Sequence, residues 1–104
     1  MTVELTGEGG HAGAVLMPVR KDALCAAAEI ILAVESAAKA TGSPNAVGTV
    51  GVCRVHPGAI NSVPSTVNLM VDIRDVDREP RDQSVKTVKA ARRMGSNVAA
   101  RRLE

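Results

Sequence analysis

No phenylalanine, tyrosine or tryptophan occurs in this 104-residue sequence, and that absence constrains the fold more than any motif. A core has to be assembled from Val, Ile, Leu, Ala and Met, most of which remove less area from water than an aromatic ring. Apolar residues make up 45% of the chain, so a core can still form. The length suits one domain, too short for a usual two-domain enzyme. A small domain without aromatics has little stability to spare, which predicts reliance on a partner surface or on the rest of a longer chain.

Patterning along the chain predicts the elements. Thr2 to Thr6 alternates as a strand and runs into Gly7-Glu8-Gly9-Gly10, which ends it and leaves a flexible backbone before His11. After Pro18 the period becomes helical. Ala27, Ile31, Val34 and Ala38 form an apolar stripe on a helix from about Lys21 to Thr41, with Gly42 as its stop and Pro44 just beyond. Ala46 to Val55 is rich in Val and Thr but interrupted by Gly48 and Gly51, as in an edge strand or one approached closely by another backbone. His56-Pro57-Gly58-Ala59 is turn chemistry. From Ser65 to Asp75 the alternation is clearest, with Val67, Leu69, Val71 and Ile73 on one face and Asn68, Met70, Asp72 and Arg74 on the other. Asp82 or Ser84 can cap a second helix with Val85, Val88, Met94 and Val98 on its apolar line.

The order β-α-β-β-α predicts an α+β fold, a ferredoxin-like split βαβ sandwich whose antiparallel sheet carries two helices on one face. Its last strand is expected to be missing, because the sequence stops before one is legible. With Met1 directly before the first strand, the chain is expected to be an excised piece of something longer.

The net charge of +2 decides little, although basic residues gather from Arg81 onward. That run reads as a solvated helix face. Ferredoxin-like sheets that read RNA stack bases on exposed aromatics, and this sequence has none, so nucleic acid is not expected as a partner. Cys25 and Cys53 lack CxxC spacing and sit among apolar residues, as reduced, buried thiols would. No apolar run reaches the roughly 20 residues a membrane span needs, and no leader pattern opens the chain. A cytoplasmic location is expected.

Three polar residues stand in unusual settings. His11 follows the glycine loop, Asn61 lies between Pro57 and Pro64, and Arg74 ends the best strand. A histidine can donate to a developing oxyanion, an asparagine can bond a carboxylate or amide, and an arginine can grip a carboxylate with two parallel bonds. Each has a plainer reading. His11 can bond a loop carbonyl, Asn61 can supply a turn, and Arg74 can pair with Asp72 or Asp75.

The stretch Gly9-Gly10-His11-Ala12-Gly13 followed by Met17-Pro18-Val19-Arg20-Lys21-Asp22-Ala23-Leu24 resembles the GHAG…MPxRxDAL signature of the carbamoylase branch of the peptidase M20 family. Val47-Gly48-Thr49-Val50-Gly51, Pro57 to Asn61, Val63-Pro64 and Asp72-Ile73-Arg74-Asp75 match the same branch in order and spacing, so the resemblance runs from about Thr2 to Val88. It implies the lid and dimerisation domain of a binuclear-metal amidohydrolase acting on N-carbamoyl amino acids or related ureido acids. The alternative is a stand-alone ferredoxin-like dimerisation module without a catalytic role.

By the same resemblance, His11 reaches into the partner subunit's site to stabilise a tetrahedral intermediate. Asn61 and Arg74 hold the substrate's carboxylate, and the backbone at Gly10 lines the cleft. Two divalent metals (zinc, manganese or cobalt) belong to the catalytic domain of the longer enzyme. Apart from the resemblance, the outer-edge position of the second strand, about Val47 to Val55, predicts a homodimer in which a second copy docks through that strand and helix 1. This chain has no His-x-Asp or Glu-Glu pair with metal-site spacing, so neither a metal nor turnover is expected of it alone. It departs from the family after Gly13, where Ala14-Val15-Leu16 replaces the usual Thr-Thr-Pro.

Overall fold

The computed structural model describes residues 1–74 and 98–103. The second helix expected from Asp82 or Ser84 lies outside the described residues except for Val98, which is not helical and is buried in the core.

The helix forms where the sequence supplies a cap and a stripe of small apolar residues. Helix α1 spans Ala23–Ala40, and the Asp22 carboxylate accepts hydrogen bonds from the N–H groups of Leu24 at 2.9 Å and Cys25 at 3.2 Å. This satisfies two of the amide donors that a helix start leaves unpaired. Gly42, at φ 75°, follows the helix end in a conformation that costs a residue with a Cβ. The buried face consists of Ala23, Ala26, Ala27, Ile30, Val34 and Ala37.

Against that face lies a four-stranded antiparallel sheet in the order β3-β5-β1-β6. Its strands are β1 (Thr2–Thr6), β3 (Val47–His56), β5 (Thr66–Arg74) and β6 (Ala99–Arg102); β2 (Gly10–His11) and β4 (Ser62–Val63) form a separate two-stranded ribbon. Strand β5 is central, with Thr6 opposite Thr66 on one side and Val47 opposite Arg74 on the other. The register slips between Val50 and Val52, leaving Gly51 as the extra residue of a bulge. Val3 and Leu5, with Val67, Leu69 and Val71, alternate onto the helix side and are buried, as strand periodicity requires. The core is thus built of aliphatic side chains and alanines, and the thin alanine face draws the helix close to the sheet.

Two expectations need correction. The last strand is present: Ala99–Arg102 pairs antiparallel with β1 and closes the sheet on that side. Its Ala-Ala-Arg-Arg sequence has no β-branched residue, so propensity concealed it. Register rescues it by turning Ala100 toward the core, while Arg101 bonds Glu4 at 3.0 Å on the open face. The cysteines are free but exposed rather than buried. Cys25 lies off the buried face of α1, and Cys53 sits on β3, an edge strand among the described residues.

Candidate functional site

The glycine loop and the segment between the two prolines meet at one end of the sheet. Gly10 lies opposite Val63 and His11 opposite Ser62, and the Ala12 N–H donates to the Asn61 carbonyl at 2.8 Å. Residues fifty positions apart, His11 and Asn61, therefore sit on one small ribbon, both exposed.

The ribbon is tied to the core from below. Gly7 donates to the Ser65 carbonyl at 2.8 Å, Glu8 to the Lys21 carbonyl at 2.9 Å, and Ala23 to the Pro64 carbonyl at 3.1 Å. A Cβ at Gly7 would overlap the Lys21 carbonyl oxygen, so the close approach of these two segments requires glycine there. The Lys21 ammonium also pairs with Glu8 at 3.3 Å.

Within the loop, His11 is oriented by its own backbone. The Gly13 N–H donates to His11 Nδ1 at 3.1 Å, and the His11 carbonyl accepts from Ala14 at 2.9 Å and Val15 at 3.2 Å. An Nδ1 that accepts carries no proton, so the neutral ring holds its proton on Nε2 and presents it as a donor. The plainer alternative, a bond to a loop carbonyl, does not describe His11, whose ring accepts from an amide instead. Val15, in the stretch that departs from the family, packs its Cγ2 where a Cβ at Gly10 would stand, 2.7 Å away.

Sequence reasoning quoted Arg20 within a motif but gave it no role. Its Nε donates to the Val15 carbonyl at 2.9 Å and its second terminal nitrogen to the Ala12 carbonyl at 2.6 Å, bridging the loop that follows His11. Leu16, Met17 and Val19 flank this loop with exposed apolar side chains, as does Ile60 beside Asn61. The available signal was an arginine confined between a proline turn, now the one-turn 3-10 helix Met17–Val19, and a helix cap.

Arg74 is elsewhere. It ends β5 eight residues beyond Thr66, or about 26 Å along the strand at roughly 3.3 Å per residue. Its guanidinium bonds Asp72 through two nitrogens, at 3.0 Å and 2.9 Å, and this contact with the Asp72 charge holds it protonated above its ordinary range. The structure therefore brings His11 and Asn61 together and leaves Arg74 at the opposite end of the same chain. His56, at the end of β3 before Pro57, is exposed.

Among the described residues no group of three His, Cys, Asp or Glu side chains could hold a metal ion, and no helix is long and apolar enough to cross a membrane.

Comparison with known proteins gives homologues over most of the chain. It is 54% identical over 86 residues to a ureidoglycolate hydrolase of Oryza sativa subsp. japonica, covering 83% of this chain and 18% of that protein. It is 44% identical over 84 residues to an N-carbamoyl-L-amino acid amidohydrolase of Geobacillus stearothermophilus, covering 81% of this chain and 20% of that one. The fold superposes on the crystal structure of AtUAH in complex with (S)-hydroxyglycine with a TM-score of 0.85 and 50% identity, over 88% of this chain and 22% of the other. The chain thus spans about a fifth of the length of the relatives it matches. No protein-family model matches it.

Proposed function

From the premise that this chain is homologous to one segment of the ureidoglycolate and N-carbamoyl-L-amino acid amidohydrolases, we propose that it is the substrate-binding and dimerisation domain of such an enzyme. The observation that carries this reading is the His11–Asn61 ribbon, which puts an Nε2–H donor and an exposed asparagine on neighbouring backbone anchored to the core.

The reaction is hydrolysis of a linear carbamoyl or ureido C–N bond. Water adds to the carbonyl carbon, the C–N bond breaks and the amine leaves. Negative charge develops on the carbonyl oxygen as water adds, and a fixed N–H donor such as His11 lowers that barrier. Asn61 and Arg74 take the substrate's carboxylate, and the backbone at Gly10 lines the cleft. Identity favours a ureidoglycolate-type acid over an N-carbamoyl amino acid. Among the described residues no group of side chains fits a metal ion, so the metals of the longer enzyme would be held outside them.

One small ureido acid is far too short to touch His11 and Arg74 of the same chain. Pairing of two β3 strands about a two-fold axis resolves this. Val47 lies opposite Arg74 and His56 opposite Thr66, so antiparallel β3 strands bring the Arg74 end of one copy beside the His11–Asn61 end of the other. Three strand spacings, roughly 14 Å, then separate the two β5 strands, against about 26 Å within one chain. The composite arrangement is what makes the homodimer part of the function.

The test is His11→Ala in the full-length amidohydrolase. Loss of an oxyanion donor lowers turnover on the order of 10²–10³-fold. Mixing this variant with an Arg74→Ala variant should restore activity in hybrid dimers, because half of their sites then keep both residues. Confirmed hybrids without recovery would refute the shared site.

A further inference from the structure

We infer that Arg20 is a positioning residue for His11: its guanidinium staples the loop whose Gly13 amide aims the imidazole. The inference deepens the reading of His11 as an oxyanion donor and rests on it for its catalytic consequence.

Four hydrogen bonds form the device. Arg20 holds the carbonyls of Ala12 and Val15, at 2.6 Å and 2.9 Å. Between those two anchors lies Gly13, whose N–H donates to His11 Nδ1. The Ala12 N–H bonds Asn61, so the same turn also fixes the loop to the second candidate residue. Among the described residues Arg20 makes no ion pair with a carboxylate, and the contacts that define its position are two backbone carbonyls. A half-buried guanidinium committed to carbonyls gives charge-assisted bonds, stronger than neutral ones, and its planar fork reaches two acceptors at once. Lysine is a point donor on a flexible stem and cannot span both.

The loop needs such a staple because little else packs on it. Ala12 to Val15 has no buried side chain, and Gly13 adds backbone freedom. Gly13 also stands close beneath the ring, where a Cβ would lie 3.4 Å from His11 Nδ1. Loosening the Arg20 anchors therefore releases the amide that orients the imidazole while leaving the helix and sheet untouched.

Two measurements test this. In this chain, hydrogen exchange is followed at the Gly13 and Ala12 amides for Arg20→Gln, with Arg20→Lys as the second variant should the first fail to fold. Protection of both amides should fall at least roughly tenfold, with α1 amides unchanged, since losing one charged hydrogen bond is worth about that factor. Unchanged protection would overturn the staple. In the full-length enzyme, Arg20→Gln should lower kcat with little change in KM, Arg20→Lys should not rescue it, and the His11→Ala/Arg20→Gln pair should be no slower than His11→Ala alone. Additive losses would show that Arg20 acts independently of His11 and overturn the inference. Full activity of His11→Ala would instead sink the oxyanion reading, and the exchange result would still stand.

Discussion

Gly48 of the edge strand lies so close to Val34 of the helix that a Cβ at position 48 would stand 3.0 Å from the Val34 carbonyl oxygen and 3.1 Å from its Cγ1. The nearest atom belongs to helix backbone, which cannot move aside as a side-chain tip would. This contact sets the distance between helix and sheet at the β3 end. Gly48→Ala should therefore cost about 1–3 kcal/mol, the usual range for overpacking. Gly51→Ala, where a Cβ would meet nothing within 4 Å, should be close to neutral. Thermal unfolding of the two variants checks the contrast, and equal melting temperatures would mean the helix can shift to admit a methyl.

Asp22 has two separable effects at the helix start. Asp22→Ala removes the acceptor for Leu24 and Cys25 and should destabilise the domain by about 1 kcal/mol, whereas Asp22→Asn keeps the cap and should not. Cys25 follows a different logic. Desolvation, together with the charges of Asp22 and Glu29, pushes its thiol above the ordinary value; the residue is exposed, so the carboxylates are the causes that substitution can test. A raised value means less thiolate at a given pH, so Cys25 should alkylate slowly near neutrality and speed up only as pH rises past the range of an ordinary thiol. Asp22→Asn removes one raising charge and should shift that profile to lower pH at nearly unchanged stability. A profile that stays in place would assign the shift to desolvation and Glu29.

How much of this was legible in the sequence follows from which forces each element uses. β1, α1, β3 and β5 were readable within a residue or two because each carries its own periodicity and its own stops. β6 was not, since Ala99–Arg102 becomes a strand through pairing with β1, a tertiary cause that no local pattern records. The exposure of Cys53 was hidden for the same reason, as strand order decides which faces are covered. His11 and Asn61 were legible only as separate candidates, and their meeting on one ribbon depends on loop geometry. Arg74 was placed correctly at a strand end, yet its distance from the other two emerges only from the direction of β5.

Arg74 already displays the contact it is proposed to make. Asp72 accepts two parallel bonds from it, the geometry in which an arginine fork takes a carboxylate. In the full-length enzyme, a substrate carboxylate would displace Asp72. Arg74→Lys should raise KM about ten- to hundredfold with melting unchanged, because the charge persists but the fork is lost. Asp72→Asn removes the competitor and should leave KM equal or lower. A rise in KM for Asp72→Asn as large as that for Arg74→Lys would show that Asp72 orients the arginine rather than competing for it.

The sheet's two edges, among the described residues, differ in their readiness to pair. β6 is four residues long and ends in Arg101 and Arg102, a short charged edge of the kind that resists edge-to-edge contact. β3 is ten residues long, with Val50 and Val52 beside its bulge and a single charged residue, Arg54, to oppose a second copy. Presence of β6 removes β1 as a competing edge, so the proposed dimer would pair through β3. Two changes should break it. Val50→Pro deletes a backbone N–H and imposes a fixed φ on the strand, while Val52→Lys sets like charges near a two-fold axis. The double variant should run as a monomer by light scattering with its circular dichroism preserved. Dimers that persist in a folded double variant would move the interface off β3, and with it the means by which Arg74 of one copy comes near His11 of another.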